Sequence, residues 1–532
     1  MSAVVTDQFR ISNAGNFVDS VLDTNNSYYV FLGLSNPTTP AVGFGRSSTW
    51  NTSAGGPPNP IDNFSYEWQY GSTSLFGKKI NSTNIRRVVP KTEWKTNTAY
   101  DMYRQDYDIT NKAPVSQTAR LYDAKYFVLN SDYNVYICIE NGSSGADPDG
   151  QNSKYEPTST DLEPFSAGTD GYVWKFLFSV SPSDIVKFDS TEYIVVPNNW
   201  ETSTNSQIQG VREAGDSTVN FNQIKTVYVK NVGNGYKTVT AVSCNILGDG
   251  SGGKVSVTTV AGKITDVTVT AGGSGYTYGM VDLGTIQPDT GVPTTYADLI
   301  VIIPPSRGHG YNIYKELGAD RVLVYARFDD STKDFPVSTK FAQVGIVKNP
   351  STYASIGSTI TSSQYSSIGA IKLQDGDAEG QTGYWSTTPT IGSKIEQSVT
   401  DGVAKGYVAS YDKITSVLKY YQDRSLYYNP TTGNQKDYVG VSSDAKVLAF
   451  ESSSSVITFA GSSPDDTSVA TAFTGRTMTS GTKDIDLGVY FTSGLADPEI
   501  NKTTGDILYI DNREEVARNI QQKEDIKIIL EF

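Results

Sequence analysis

The sequence contains few of the side chains on which most enzymes and metal centres depend. It has one histidine, His309, and two cysteines in 532 residues. A Ser-His-Asp or Cys-His catalytic site could use only that histidine, and a standard zinc site needs three or four ligands. His309 lies between glycines after a Pro-Pro pair, which indicates a loop residue. We therefore expect a protein that is not an enzyme, with no catalytic, cofactor-binding or metal-binding residues.

Disulfide bonds and membrane spans are not expected either. Cys138 lies in an apolar run at residues 135–139, far in sequence from Cys244, which predicts a buried free thiol. Such thiols suit a reducing cytoplasm. The N-terminus has no basic segment before an apolar run, which predicts no signal peptide. No apolar run reaches the length of a membrane span, so membrane insertion is not expected.

Basic residues are scarce relative to acidic ones. The chain has 43 Lys and Arg against 57 Asp and Glu, and its formal net charge is −14. A nucleic-acid-binding surface needs clustered basic residues, and the only basic doublets are Lys78-Lys79 and Arg86-Arg87. We therefore expect no nucleic-acid partner. A glycosidase-type pair stays open among so many carboxylates, although ordinary surface charge accounts for them.

Glycine and tyrosine are abundant, with 48 and 34 residues, and long helical runs are largely missing. Val, Phe, Tyr and Trp crowd residues 172–180 and 193–196, which predicts two buried strands joined by a Ser-Pro-Ser-Asp turn and a polar link. One helix is expected near residues 9–22. Its apolar face would consist of Phe9, Phe17, Val18, Val21 and Leu22. Since the chain is too long for one core, we predict a mainly β, multi-domain fold of antiparallel sheets and sandwiches with few short helices.

A short repeat marks one region of the chain. Residues 227–236 and 267–276 share the pattern V-x-V-x-x-x-G-x-G-Y. Between them, two alternating strands are joined at Ala261-Gly262, which predicts a small β module. The Gly-rich run 248–253 leads into a strand and not into a helix, so it is predicted to be a turn and not a phosphate-binding loop.

Residues 375–380 begin like a calcium-binding loop. The twelfth position of such a loop would be Ser386 instead of Glu, which removes the bidentate ligand. This pattern favours an acidic loop over a metal site.

Five blocks of the sequence occur in an order that resembles one known family. They are FGRS with Trp50 before a Pro-Pro-Asn-Pro loop, Val89-Pro90 with Trp94, GYVW with EYIVVP at residues 171–197, residues 335–350, and the C-terminal I-x-Y-x-x-N-R segment with its final strand, which is predicted to be nearly buried. In these blocks the chain resembles the baseplate wedge subunit of contractile-tailed T-even-type phages, the wedge protein that forms a dimer. An extra segment at residues 35–42 departs from that pattern and is expected to be a longer loop.

The resemblance implies a division of the chain into a core and two insertions. The wedge core would be made from residues 1–215, 304–350 and 501–532. The Gly-rich β module, residues 216–303, and a β-sandwich-like domain, residues 351–500, would be inserted into that core.

The resemblance also implies a role. The protein would be a structural virion protein of the tail baseplate, made in the host cytoplasm. It would form a homodimer, dock onto other wedge subunits and link peripheral, fibre-bearing baseplate proteins to the inner baseplate during assembly and host attachment. Aromatic side chains on irregular, proline-rich segments are suitable contact anchors, although each could pack on its own domain. The predicted partner contacts are Phe44, Arg46, Trp50, Pro57, Pro58, Trp94, Tyr100 and Tyr103.

Two other functions fit the composition. A receptor-binding or glycan-degrading tail fibre or tailspike component is also β-rich, acidic and rich in tyrosine. It would be recognised by a β-helical repeat over most of the chain and by a carboxylate pair in a groove, whereas only one short repeat is found. A bacterial surface adhesin is disfavoured because no signal peptide is expected.

Overall fold

The structure is a computed structural model that describes most of the chain. The described residues are 5–33, 74–144, 147–216, 222–289, 291–329, 340–374, 389–390, 393–422, 448–459, 467–480, 482–501, 504–517 and 522–532. In these ranges the protein consists of several antiparallel β-sheets and a few short helices. The predicted mainly β fold class is confirmed.

The helices and strands follow one another in three groups. Up to residue 216 they are α1 (Asp7–Leu22), β1 (Tyr28–Gly33), β2 (Ser74–Lys79), β3 (Ile85–Pro90), β4 (Phe127–Leu129), β5 (Asn134–Asn141), β6 (Tyr172–Ser179), α2 (Pro182–Phe188), β7 (Tyr193–Val196) and α3 (Ser206–Asp216). Up to residue 328 they are β8 (Val227–Asn231), β9 (Val239–Gly248), β10 (Ser251–Val260), β11 (Lys263–Ser274), β12 (Gly279–Val281), β13 (Asp298–Val301), α4 (Ile313–Glu316) and β14 (Arg321–Phe328). The remaining strands are β15 (Lys340–Lys348), β16 (Ser351–Thr352), β17 (Ser355–Thr359), β18 (Gln364–Ser366), β19 (Gly369–Lys372), β20 (Lys394–Val399), β21 (Gly402–Asp412), β22 (Val417–Tyr421), β23 (Ile457–Phe459), β24 (Gly475–Ser480), β25 (Lys483–Phe491), β26 (Leu495–Ala496), β27 (Asp506–Ala517) and β28 (Glu524–Glu531).

The chain divides into two compact units. The first unit comprises Met1–Val18, Arg86–Leu323 and Ile528–Phe532, and the second unit comprises Asp19–Ile85 and Val324–Lys527. Each unit is therefore assembled from segments that are distant in sequence. The finer division into a wedge core and two insertions stays a prediction.

The main core of the first unit is built around a three-stranded antiparallel sheet of β4, β5 and β6. The apolar runs 125–129 and 133–139, separated by the turn residues 130–132, predict a hairpin. The structure confirms it, because Phe127 on β4 lies opposite Ile137 on β5. On β6 only Val173 and Ser179 are not fully buried. Burial on both faces explains why this strand is an almost continuous apolar run.

The segment between β6 and β7 is a correction to the sequence analysis. The predicted Ser-Pro-Ser-Asp turn is the start of helix α2. The Ser181 hydroxyl accepts a hydrogen bond from the Asp184 N–H at 3.2 Å, and Pro182 occupies the first turn, where its missing N–H costs nothing. The sequence therefore carries a helix-start signal that the turn interpretation overlooked.

Helix α1 lies where the sequence predicted it, but the face that it buries differs from the predicted apolar face. Val18 and Val21 are buried as expected, together with Ile11 and Ala14. Phe9 and Leu22, which were assigned to the apolar face, are 56% and 41% exposed. Ile11, Ala14, Val18 and Val21 follow the three- and four-residue spacing of one helical face, and Phe9 is out of phase with them.

The C-terminal strand β28 is less buried than predicted. In the first unit, parts of β14 and β28 join β3 and β7 in a four-stranded sheet. Ile528 is 5% exposed, whereas Ile529 is 38% exposed. The expectation of a nearly buried strand is therefore wrong, since only one face of β28 is covered.

Six strands of the first unit form the sheet that we call the β module. Their order is β11-β10-β9-β12-β13-β8. The hairpin of β10 and β11 turns at Ala261 and Gly262, whose φ values are +50° and +82°, as a two-residue type I′ turn requires. Within the glycine-rich run 248–253, Asp249 and Gly250 connect β9 to β10, which confirms a turn in this run.

The two sequence repeats of the β module end in equivalent tyrosines. Tyr236 and Tyr276 are both buried. The Tyr276 hydroxyl accepts a hydrogen bond from Gly253 N at 3.0 Å, and the Tyr236 hydroxyl accepts one from Ala297 N at 3.0 Å. The first glycine of each G-x-G-Y has φ above +60°, and an added Cβ there would lie 2.6 or 2.7 Å from the tyrosine ring of its own repeat. The repeat therefore encodes a tyrosine ring packed under a glycine turn.

The exposed carboxylate of Asp249, between β9 and β10, is hydrogen-bonded to the residue that follows Tyr276. Asp249 accepts hydrogen bonds from the Thr277 hydroxyl and from Thr277 N, the latter at 2.9 Å. The hydroxyl bond is the main reason that the pKa of Asp249 falls to about 2. Because the pKa is lower in the folded state, this carboxylate stabilises the fold above its unfolded pKa of about 3.9 and loses that contribution as pH falls towards 2.

Changing Asp249 to asparagine should therefore lower the melting temperature in a pH-dependent way. The difference in melting temperature between the variant and the unchanged protein should be constant above about pH 5. It should shrink as pH falls to about 3, where Asp249 of the unfolded chain is mostly protonated. Thermal melting followed by circular dichroism measures both proteins. A difference that is the same at both pH values would contradict the assignment.

The second unit contains two larger sheets. The five-stranded sheet has the order β18-β2-β1-β15-β27, and the six-stranded sheet has the order β23-β20-β21-β22-β19-β26. Tyr29 and Tyr365 pack against each other in the core of the first of these, with ring centroids 5.0 Å apart. The second unit also contains two hairpins, β16–β17 and β24–β25.

Candidate interaction surfaces

Five of the eight predicted partner contacts lie outside the described residues. They are Phe44, Arg46, Trp50, Pro57 and Pro58. The acidic loop predicted at residues 375–380 also lies outside them.

The other three predicted contacts are Trp94, Tyr100 and Tyr103, which belong to an irregular segment of the first unit, residues 91–126. Asp101 organises this segment from a fully buried position. Its carboxylate accepts hydrogen bonds from Val115 N at 2.8 Å, Ser116 N at 3.2 Å and Lys125 N at 3.1 Å. These bonds satisfy backbone donors that no helix or sheet pairs, and they fix the path of the segment.

Tyr100 and Tyr103 are corrections to the predicted contact surface. They are 1% and 6% exposed, and burial raises the pKa of both phenols. The Tyr100 ring lies edge-on to Trp174, and its hydroxyl accepts a hydrogen bond from Lys95 N at 2.6 Å. Both tyrosines pack within their own unit, which was the alternative left open, because a segment without regular structure needs side chains to hold it to the core.

Trp94 is the predicted contact whose side chain remains partly exposed to solvent. Its side chain is half-buried against the main core of the first unit. The indole N–H donates a hydrogen bond to the Ser153 hydroxyl at 3.1 Å. One edge of the ring is thus anchored while the residue remains partly accessible, which is a suitable arrangement for a contact anchor.

Arg104 connects the irregular segment to the β module. It is 1% exposed, and its guanidinium makes two hydrogen bonds to the Asp106 carboxylate, at 3.0 and 2.8 Å. The guanidinium carbon also lies 3.8 Å from the centroid of the Tyr228 ring on β8. A buried arginine is tolerated here because it has both an acidic partner and an aromatic face.

The single histidine is held in a buried pair with a glutamate. His309 lies in the predicted loop, but it is only 6% exposed. Its Nδ1 is 2.6 Å from Oε1 of Glu316, and Oε2 of Glu316 accepts a hydrogen bond from Gly310 N at 2.7 Å. The Tyr103 ring is edge-on to the imidazole, with centroids 4.9 Å apart. This geometry fastens the loop to helix α4.

A surface that the sequence analysis missed lies on the β module. Leu247 on β9 is directly opposite Met280 on β12, Met280 is opposite Ile300 on β13, and Ile300 is opposite Tyr228 on β8. Opposed residues in antiparallel strands point to the same face. We call these four residues the apolar row. Tyr228 and Ile300 pack on the main core, whereas Leu247 and Met280 are 48% and 62% exposed.

Metal-binding clusters and membrane-spanning helices are both lacking within the described residues. Within them, no group of three or more His, Cys, Asp or Glu side chains is placed to hold a metal ion. No helix in the same ranges has the length and apolar character needed to cross a membrane. Cys138 and Cys244 are both buried free thiols, which confirms the prediction for Cys138, and burial raises the pKa of Cys138.

The fold and these surfaces define a mainly β protein of several sheets, with buried polar groups that organise loops and an apolar row that is partly exposed. No protein family model matches the chain. The chain is similar to the "Baseplate wedge protein gp8" of Enterobacteria phage T4, with 24% identity over 221 residues. That match covers 37% of this chain and 60% of the T4 protein, so the chain spans about three fifths of the relative that it matches.

Proposed function

We propose that the chain is a structural subunit of a phage tail baseplate, of the wedge type. The observation that carries this proposal is the similarity to the baseplate wedge protein of phage T4. The protein would reside in the virion tail, form a homodimer and join other wedge subunits. It would thereby link peripheral baseplate parts to the inner baseplate during assembly and host attachment.

The proposed mechanism is binding and mechanical linkage, without catalysis. Two features support it. The only imidazole is engaged by the buried Glu316 and by the ring of Tyr103, and the Asp101 carboxylate is engaged by three backbone N–H groups. His309 and Asp101 thus fasten loops, as expected of a protein that transmits force.

The apolar row supplies a candidate contact with a neighbouring baseplate subunit. Its exposed half, Leu247 and Met280, continues a line of side chains whose other half is already packed against protein. Exposed apolar residues that adjoin each other across strands are typical of protein contact sites. Tyr278, two residues before Met280, is 63% exposed and extends the apolar character of β12.

Changing Met280 to aspartate is expected to reduce incorporation of the chain into tail particles at least about tenfold. The charge would lose its hydration at the centre of an apolar contact, and a loss of about 1.4 kcal/mol of binding free energy corresponds to that factor. The measurement is quantitative mass spectrometry of purified particles from a virus that lacks the gene and is supplied with each variant.

The matched control is Val260→Asp. Val260 is 53% exposed, belongs to the same β module and lies outside the apolar row. Its replacement should leave incorporation unchanged, and both variants should melt like the unchanged protein. Full incorporation of the Met280→Asp chain would show that the apolar row is not a baseplate contact.

A further inference from the structure

The exposed part of the apolar row contains an oxidisable side chain. Methionine is rare in this protein, with four residues in 532. Of the three that the structure describes, Met102 is 2% exposed, and Met478 is half-buried against a small apolar core of the second unit. Met280 is 62% exposed. Among these three methionines, Met280 therefore has the thioether that a dissolved oxidant reaches most readily.

Met280 lies in the middle of the apolar row. Its neighbours directly across strands are Leu247 on β9 and Ile300 on β13. Leu247 is exposed like Met280, whereas Ile300 is partly buried against the main core of the first unit. A protein surface that covers the row must therefore exclude water from the Met280 side chain.

The two thiols of the chain are less available to the same oxidant. Cys138 and Cys244 are both buried. Burial also raises the pKa of Cys138, which keeps this residue in the thiol form, and the thiolate is the form that reacts readily. A mild peroxide treatment is therefore expected to act on Met280 before it acts on either cysteine.

Oxidation changes the polarity of the methionine side chain. The sulfur attacks one oxygen of a hydroperoxide, the O–O bond breaks and an S–O bond forms, so the sulfur is oxidised and the peroxide is reduced. With hydrogen peroxide, the other oxygen leaves as hydroxide and takes up the remaining proton to give water. The sulfoxide is polar, whereas the thioether behaves as an apolar group. A polar group that loses its hydration without a hydrogen-bond partner weakens a contact.

We propose that Met280 is a redox-sensitive modification site, at which oxidation to the sulfoxide by a hydroperoxide weakens the contact between the apolar row and its partner. Methionine sulfoxide reductase returns a sulfoxide to the thioether, so the change is reversible. This inference rests on the proposed baseplate contact. It adds a chemical state of the chain that controls whether that contact forms.

The modification itself is tested on the full chain by treatment with dilute hydrogen peroxide and mass spectrometry of its peptides. Met280 should be converted to the sulfoxide at least about tenfold faster than Met102, because a buried methionine reacts only when the core opens. Thermal melting checks that the treated chain remains folded. Equal rates for the two methionines would overturn the proposal, since Met280 would not be a preferred site.

The consequence for assembly is tested with the same protein. Untreated chain, or treated chain from which catalase has removed the peroxide, is added to an extract of cells infected with a virus that lacks the gene. Mass spectrometry of the purified particles then measures incorporation. Peroxide treatment should lower incorporation at least about tenfold, and methionine sulfoxide reductase should restore it.

Two variants assign this effect to Met280, and each is compared with its own untreated sample. Met280→Leu keeps an apolar side chain of similar volume but has no sulfur, so peroxide should not change its incorporation. Met478→Leu removes a methionine outside the apolar row and should stay as sensitive to peroxide as the unchanged chain.

The outcomes separate this inference from the baseplate role. If the untreated chain does not enter particles, the baseplate role fails and the proposed control of the contact fails with it, while the oxidation rates still decide whether Met280 is the preferred site. If the untreated chain does enter, three results overturn the inference alone. They are full incorporation of the oxidised, folded chain, equal peroxide sensitivity of Met280→Leu and the unchanged chain, and no recovery after treatment with the reductase.

Discussion

Replacing Asp101 with alanine should lower the free energy of unfolding by about 3 kcal/mol. The change removes the acceptor of three backbone N–H groups, those of Val115, Ser116 and Lys125. It also leaves a cavity where a fully buried carboxylate had been. Each donor left without a partner costs about 1 kcal/mol or more, less where water can reach it. Urea unfolding followed by tryptophan fluorescence measures the change.

The chain offers a matched control for this substitution in Asp108. Its carboxylate also accepts hydrogen bonds from backbone N–H groups, those of Thr110 at 2.6 Å and Asn111 at 2.8 Å. Asp108 is exposed, so water replaces its hydrogen bonds when the side chain is removed. We expect Asp108→Ala to have a much smaller effect than Asp101→Ala. Equal effects would show that the buried carboxylate does not organise residues 91–126.

A second large effect is expected at Gly273 in the β module. Gly273 has φ of +62°. An added Cβ would lie 2.6 Å from Gly253 N and 2.7 Å from the Tyr276 ring, and it would also clash with the Ser251 carbonyl oxygen. Since two of these atoms belong to the backbone of β10, they cannot move without breaking the hairpin. We expect Gly273→Ala to destabilise the protein by about 3 to 5 kcal/mol, measured by urea unfolding.

Gly291→Ala separates steric clash from backbone strain. Gly291 has nearly the same φ, +66°, but nothing lies within 4 Å of an added Cβ. Its substitution should therefore cost only the strain of a left-handed conformation, about 1 kcal/mol. If both alanine variants lose the same stability, the ring of Tyr276 is not packed under its glycine turn as described.

The fold class was predictable because its signals are local. Strand-forming residues with a short turn between them predicted the hairpin of β4 and β5. Ala261-Gly262, between two alternating runs, predicted the two-residue turn of the β10–β11 hairpin. Helix α2 was also encoded locally, by Ser181 and Pro182, and was missed because the signal was interpreted as a turn. That error was one of interpretation, since the information was present in the sequence.

The interaction surfaces depend on information that a single sequence does not carry. Whether Tyr100 is a surface anchor or a core residue is decided by Trp174, more than 70 positions away. The apolar row requires the register of four strands, which joins Leu247 to Tyr228 through Met280 and Ile300.

The most direct test of the baseplate assignment is the position of the chain in intact tails. A short epitope inserted at Gly291, where the surrounding space is open, can be detected by gold-labelled antibody in electron micrographs of purified particles. We expect gold at the baseplate end of the tail. Gold at the distal tips of fibres would favour a receptor-binding component, and particles that lack the epitope would show that the chain is not a virion protein; either result would contradict the account.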